Sequence, residues 1–94
     1  MKLGFEWDEA KDETNLRKHG VGFDEATTVF TDPLSITIHD PEHSKDELRY
    51  IDIGLSGKGR VLVVSYTERG SNIRIISCRR ATSSEREAYE EASG

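Results

Sequence analysis

Residues 48–80 read LRYIDIGLSGKGRVLVVSYTERGSNIRIISCRR, and the spacing of apolar residues along this stretch decides the fold class. Three strand-like runs, 48–55, 60–68 and 72–80, are separated by Ser56-Gly57-Lys58-Gly59 and Arg69-Gly70-Ser71-Asn72, both dense in turn formers. Two tight connections between three such runs predict an antiparallel meander. Pairing Leu55 with Arg60 and Glu68 with Ile73 gathers Ile51, Ile53, Leu62, Val64, Tyr66, Ile73 and Ile75 on one face, the expected core. Side chains alternate along a strand, so a one-residue slip would scatter them. The reverse face then carries Tyr50, Asp52, Ser65, Thr67, Arg69, Arg74 and Arg80 among Val61, Val63, Ile76 and Cys78. In this register Arg74 points outward while Arg49 and Arg79 fall on the core face near its margins, either reaching around the edge or pairing with buried acids.

Working outward, Leu34, Ile36 and Ile38 alternate with Ser35, Thr37 and His39 as a further strand, followed by a polar loop, 40–46. Leu3, Phe5 and Trp7 share one side of a short strand at the start. Asp8 can then cap a helix to about His19, with Gly20 as its stop. A second short helix, about Asp24 to Phe30, turns Ala26, Val29 and Phe30 inward and ends at Asp32-Pro33. Thr82-Ser83-Ser84-Glu85 fits a capping box opening a last helix to about Glu91, with Ala88, Tyr89 and Ala92 as its inward positions. The prediction is an α+β domain over residues 1–94. It has a small antiparallel sheet, the three-stranded meander plus one or two further strands, flanked by two N-terminal helices and one C-terminal helix.

A chain of 94 residues has room for one modest core. No apolar stretch approaches the roughly 20 residues needed to cross a bilayer and the start has no signal-peptide pattern, so a cytoplasmic protein away from membranes is expected. Cys78, the one cysteine, sits in a strand-like run and reads as a buried reduced thiol. The net charge of −5 argues against nucleic-acid binding, yet the average hides its distribution. Between Lys58 and Arg80 there are six basic residues and one acid, Glu68, while residues 1–57 carry thirteen acids against six bases. Surface fields are local, screened over about 8–10 Å, and a basic zone in an acidic protein is the feature that needs a function.

Metal and cofactor motifs are missing from the sequence. His19, His39 and His43 show no metal-ligand spacing, and no glycine-rich phosphate loop or nucleophile elbow is present, so neither a metal nor a cofactor is expected. What remains is Arg49, Arg60, Arg69, Arg74, Arg79 and Arg80, with Lys18 and His19 at a helix end and Glu85 and Tyr89 on the last helix. Metal-free RNA cleavage needs a base for the ribose 2′-hydroxyl, an acid for the leaving oxygen and cations for the charge on phosphorus, and these residue types can supply all three. Arginine suits the last role because it grips phosphate with two parallel hydrogen bonds and stays charged. Each residue also has a plainer reading: a solvated partner of Asp52, Glu47 or Glu68 for an arginine, a helix-end group for His19, a cap for Glu85, core for Tyr89. Residue types and spacing therefore lead to a basic, phosphate-binding sheet face.

The runs Phe5-Glu6-Trp7-Asp8, Asn15-Leu16-Arg17-Lys18-His19-Gly20-Val21, Phe23-Asp24-Glu25-Ala26, Glu47-Leu48-Arg49, Tyr66-Thr67-Glu68-Arg69, the stretch from Arg74 to Thr82 and Glu85-Arg86-Glu87-Ala88-Tyr89 resemble the BrnT toxin family in order and spacing. Cys78 stands where a small residue is expected. The resemblance implies a RelE-like fold and a ribonuclease that arrests translation by cutting mRNA, free or on the ribosome. It also implies neutralisation by a BrnA-type antitoxin. Carried over, it assigns Arg49, Arg69, Arg74 and Arg79 as phosphate clamps or leaving-group stabilisers and His19 and Glu85 as proton-transfer groups. Lys18, Arg60, Arg80 and Tyr89 are expected to contact RNA. Two alternatives fit the residues: a non-catalytic module binding nucleic acid or an acidic partner, and a degenerate toxin that only binds its antitoxin.

Overall fold

The computed structural model describes residues 4–43 and 47–93. Leu3, expected in the first strand, and loop residues 44–46 lie outside the described residues, as does the side chain of His43. The elements are β1 (Gly4–Glu6), α1 (Glu9–His19), α2 (Phe23–Thr27) running into a 3-10 turn (Thr28–Thr31), β2 (Ile36–Asp40), a 3-10 turn (Pro41–His43), β3 (Arg49–Leu55), β4 (Val61–Arg69), β5 (Asn72–Arg80) and α3 (Ser83–Ser93). The strands form one sheet in the order β1-β5-β4-β3-β2. The meander is antiparallel, β2 adds to it antiparallel, and β1 joins β5 in parallel.

The helix signals read from the sequence are present. Asp8 Oδ1 accepts the backbone N–H groups of Ala10 (2.8 Å) and Lys11 (3.2 Å). Gly20 closes α1 in the left-handed region, φ 72°, with its N–H on the Leu16 carbonyl. Thr82 and Glu85 exchange hydrogen bonds at the start of α3. On α3, however, Tyr89 is the inward residue, and Ala88 and Ala92 are exposed, because the helix meets the sheet along a single line through Tyr89.

The register differs from the expectation by one residue, and the difference decides what each face holds. The β3–β4 turn is a three-residue loop, Gly57-Lys58-Gly59, closed by Ser56 N–H on the Arg60 carbonyl (2.8 Å), with Gly59 in the left-handed region at φ 79°. That turn pairs Leu55 with Val61 instead of Arg60. Ile51 and Ile53 consequently lie on the face opposite Leu62, Val64 and Tyr66. On β5, Tyr66 pairs with Ile75 but Ser65 with Ser77, so Ile76 is the extra residue of a bulge and the side-chain parity of the strand flips there.

Each face has its own core. On one, α1, α2 and the turn after it bring Val21, Phe23, Ala26 and Val29 onto Leu62, Val64, Tyr66, Ile73, Ile75 and Cys78. Tyr50 and Asp52, expected on the reverse face, belong here: Tyr50 stacks on Tyr66, whose hydroxyl donates to Asp52 Oδ1 at 2.8 Å. Cys78 is a buried free thiol, pushed up to about 12 by that burial. On the other face α3 lays Tyr89 over Ile53 and Val63, bordered by Ile36, Ile51, Val61 and Ala81.

Candidate functional site

α3 covers only the half of its face that carries Ile36, Ile53, Val61 and Val63. The other half is mostly polar, with Ile38 and Ile51 as its apolar members. The pairing lines up Asp40, Arg49, Thr67, Arg74 and Glu6 as one row crossing all five strands, with Arg69 one step along β4. Towards α3 follow Ser65 and Ser77 and then Arg79, which pairs with Val63. Arg49, Arg69, Arg74 and Arg79 therefore share one face. Arg74 and Arg79 are five residues apart and would oppose each other in a regular strand; the Ile76 bulge brings them together. Arg80, expected beside Arg74, lies instead on the helix-covered face, paired with Leu62.

These four arginines differ in how firmly they are held. Thr67 is buried between Arg49 and Arg74 in the row, its hydroxyl on the Leu48 carbonyl at 2.6 Å. Arg74 meets Glu6 at 3.8 Å and Arg69 meets Glu47 at 3.8 Å, both beyond hydrogen-bond reach. Arg79 is gripped at both ends of its fork: Nη1 and Nη2 donate to Glu85 Oε1 (2.7 Å) and Oε2 (2.9 Å). Glu85 also accepts the Thr82 N–H at 2.8 Å. The Arg79 hydrogen bonds dominate in pulling its carboxyl down to about 2. At neutral pH a carboxyl so held has no proton to donate, and most of its lone-pair positions are occupied by Arg79 and Thr82. The geometry makes Glu85 the group that orients Arg79 and caps α3.

The remaining expected residues lie elsewhere. Arg60 packs under α2, where Nε and Nη2 donate to the Glu25 carboxylate and Nη2 also reaches the Gly20 carbonyl at 3.3 Å. Glu25 is 3% exposed, so the pair seals a buried charge. Tyr89 is core, with its hydroxyl donating to Asp32 Oδ2 at 2.6 Å. Lys18 and His19 line a cleft of about 360 Å3 between α1 and β5, with Asp8, Lys11, Ile76 and Ser77. Its sheet wall at Ser77 is the point where the cleft adjoins the arginine face.

Two residues of consequence were not singled out in the sequence. Asn15, buried in α1, accepts the Cys78 N–H (3.2 Å) and donates to the Cys78 and Val21 carbonyls (2.8 and 2.9 Å). Its amide takes the place of a neighbouring strand where β1 has ended, and it fixes α1 to β5. Glu6 stands at the end of the arginine row and is a matter of register alone. Among the described residues no group of three or more His, Cys, Asp or Glu side chains is placed to hold a metal ion, and no helix is long and apolar enough to cross a membrane.

A search among curated proteins finds no match. The crystal structure of the Brucella abortus ribonuclease toxin BrnT, solved at 1.1 Å, superposes with a TM-score of 0.64 at 26% identity, over 86% of this chain and 99% of that one. The family model for the ribonuclease toxin BrnT of type II toxin–antitoxin systems matches residues 7–85, a span that includes all four arginines of the shared face. By that match the chain belongs to the BrnT family of type II toxin–antitoxin ribonuclease toxins.

Proposed function

We propose that the chain cleaves RNA on the half of the sheet left open by α3, by attack of a ribose 2′-hydroxyl on the adjacent phosphorus and without a metal ion. The observation that carries this reading is the convergence of Arg49, Arg69, Arg74 and Arg79 on one face by way of the three-residue turn and the bulge. Aligned guanidinium groups are suited to the extra negative charge that builds up on the phosphoryl oxygens during in-line attack. Arg74 and Arg69, loosely paired, are the clamps a phosphate can take from their carboxylates. Arg79 is oriented by Glu85, whose negative charge offsets much of its own. Lys18 and His19 extend the binding surface around the β5 edge through the cleft that ends at Ser77.

A BrnA-type antitoxin, in this reading, neutralises the chain by laying acidic side chains on the same arginines, competing directly with RNA. The acidic remainder of the surface limits unspecific binding of phosphate chains.

Antitoxin-free protein mixed with RNA in excess chelator tests the reading, with free RNA and ribosome-bound mRNA as parallel substrates. Cleavage is expected, with 2′,3′-cyclic phosphate ends. Loss of a charge-assisted hydrogen bond should slow folded Arg74→Ala by roughly 10- to 100-fold, corresponding to about 1.5–3 kcal/mol. Binding without cleavage would leave a non-catalytic module, and full activity in both Arg74→Ala and Arg79→Ala would move the site elsewhere.

A further inference from the structure

Arginines can hold the phosphate, but they cannot take the proton from the 2′-hydroxyl, because a guanidinium has no acceptor lone pair. The base has to come from another residue within reach of the clamped phosphate. Glu85 is spoken for by Arg79 and Thr82. His19 lies on α1, in the cleft at the β5 edge, outside the arginine row. Glu47 precedes β3, and the strand pairing does not fix its backbone.

Asp40 ends the same row beside Arg49, three strands from Arg74, whereas Glu6 is on the strand next to it. The parallel pairing of β1 with β5 sets it directly beside Arg74, in the row that continues through Thr67 to Arg49. Its side chain is 35% exposed and 3.8 Å from Arg74, so it is accessible and not locked. Neighbouring strands lie about 4.8 Å apart, and a 2′-oxygen lined up for attack lies about 3–3.5 Å from phosphorus. A carboxylate one strand away from the guanidinium that holds the phosphate is therefore at the right separation.

We propose that Glu6 is a catalytic residue of this chain, the general base that takes the ribose 2′-hydroxyl proton while Arg74 holds the phosphate. The assignment rests on the ribonuclease reading above. In the step, the proton passes to the Glu6 carboxylate, the 2′-oxygen forms a bond to phosphorus, and the bond from phosphorus to the 5′-oxygen breaks. The departing oxygen takes a proton from water, and the hydroxide left behind is neutralised by the proton on Glu6. The products are a 2′,3′-cyclic phosphate and a 5′-hydroxyl, with no oxidant or co-reactant consumed.

The test compares wild type, Glu6→Gln and Glu6→Asp on the same RNA in chelator, reading turnover, RNA affinity, pH profile and thermal midpoint. Glu6→Gln should lower kcat by about 10²- to 10⁴-fold, and the acid limb of log(kcat/KM) against pH should vanish. RNA should bind it equally well or more tightly, since a negative charge beside the phosphate is gone. A structural role would instead move the melting midpoint and weaken binding. Glu6→Asp keeps the carboxylate and should retain part of the activity with its acid limb intact. Turnover of Glu6→Gln within about threefold of wild type, or an acid limb that persists in it, overturns the assignment of Glu6 alone. A wild type that cleaves neither substrate overturns the ribonuclease mechanism, and the role of Glu6 with it.

Discussion

Arg60 belongs to the same basic stretch of sequence as Arg74, and the structure predicts that removing it produces the opposite phenotype. Its guanidinium supplies two donors to Glu25, whose side chain is 3% exposed, and a third bond to the Gly20 carbonyl. The Arg60 hydrogen bond is the largest of the effects holding the Glu25 carboxyl below its ordinary range. In Arg60→Ala that carboxylate stays buried with only Ser56 Oγ at 2.7 Å and Lys58 Nζ at 4.0 Å to oppose its charge. Stranding one partner of a buried pair costs about 3–5 kcal/mol, and the surviving Ser56 bond argues for the lower end, about 3 kcal/mol. For a domain of this size that lowers the melting midpoint by roughly 12–24 °C, a large share of a total stability of about 5–15 kcal/mol. Adding Glu25→Gln should recover part of the loss, since a neutral amide is less costly to bury than an unpaired charge. Thermal and urea unfolding by circular dichroism read the stability, and filter binding at fixed salt reads RNA affinity on the protein that remains folded. A melting midpoint within about 4 °C of wild type, together with weakened RNA binding, would refute the assignment of Arg60 to the scaffold.

Asn15→Leu removes the amide that satisfies Cys78 and Val21, and with buried groups left unpaired at about 1–3 kcal/mol each the variant should lose about 3 kcal/mol by urea unfolding. Equal stability would show that α1 is held by apolar contact alone. Glu85, depressed from 4.5 to about 2, contributes stability that is present above pH 4.5 and is lost as the pH falls towards 2. The full shift corresponds to roughly 3 kcal/mol. Solvent at Arg79, 42% exposed, screens this to about 1–2 kcal/mol. The gap in unfolding free energy between wild type and Glu85→Gln should therefore stay level above about pH 5 and narrow below about pH 4.5; a gap independent of pH down to about pH 2.5 would remove the ion pair as its source.

Local chemistry was legible in the sequence wherever it depends on neighbouring residues. Asp8 and Gly20 mark the ends of α1, and Thr82 with Glu85 marks the start of α3, because each signal and its partner lie within four residues. The meander was legible from its turn residues. Its register was not, since Ser56-Gly57-Lys58-Gly59 suits a four-residue loop as readily as the three-residue loop that Gly59 closes. Nothing in Ile75-Ile76-Ser77 marks a bulge. Those two shifts of parity move Arg49 and Arg79 onto the face of Arg74 and remove Arg80 from it. That Arg49, Arg69, Arg74 and Arg79 share a face, and Arg60 and Arg80 do not, had to come from the strand pairing. Glu6, Asn15 and Glu25 act through partners between 35 and 68 residues away, and local pattern carries no trace of that.

The most direct test of the open arginine face is to locate bound RNA on the folded chain. Titrating 15N-labelled protein with an oligonucleotide carrying 2′-deoxyribose, which cannot be cleaved, leaves binding as the measured event. Amide shifts are expected at Glu6, Arg49, Ser65, Thr67, Arg69, Arg74, Ser77 and Arg79, extending to Lys18 and His19 at the β5 edge. Shifts concentrated at Glu25, Arg60, Arg80 and Arg86, with the open half of the sheet unmoved, would contradict the account.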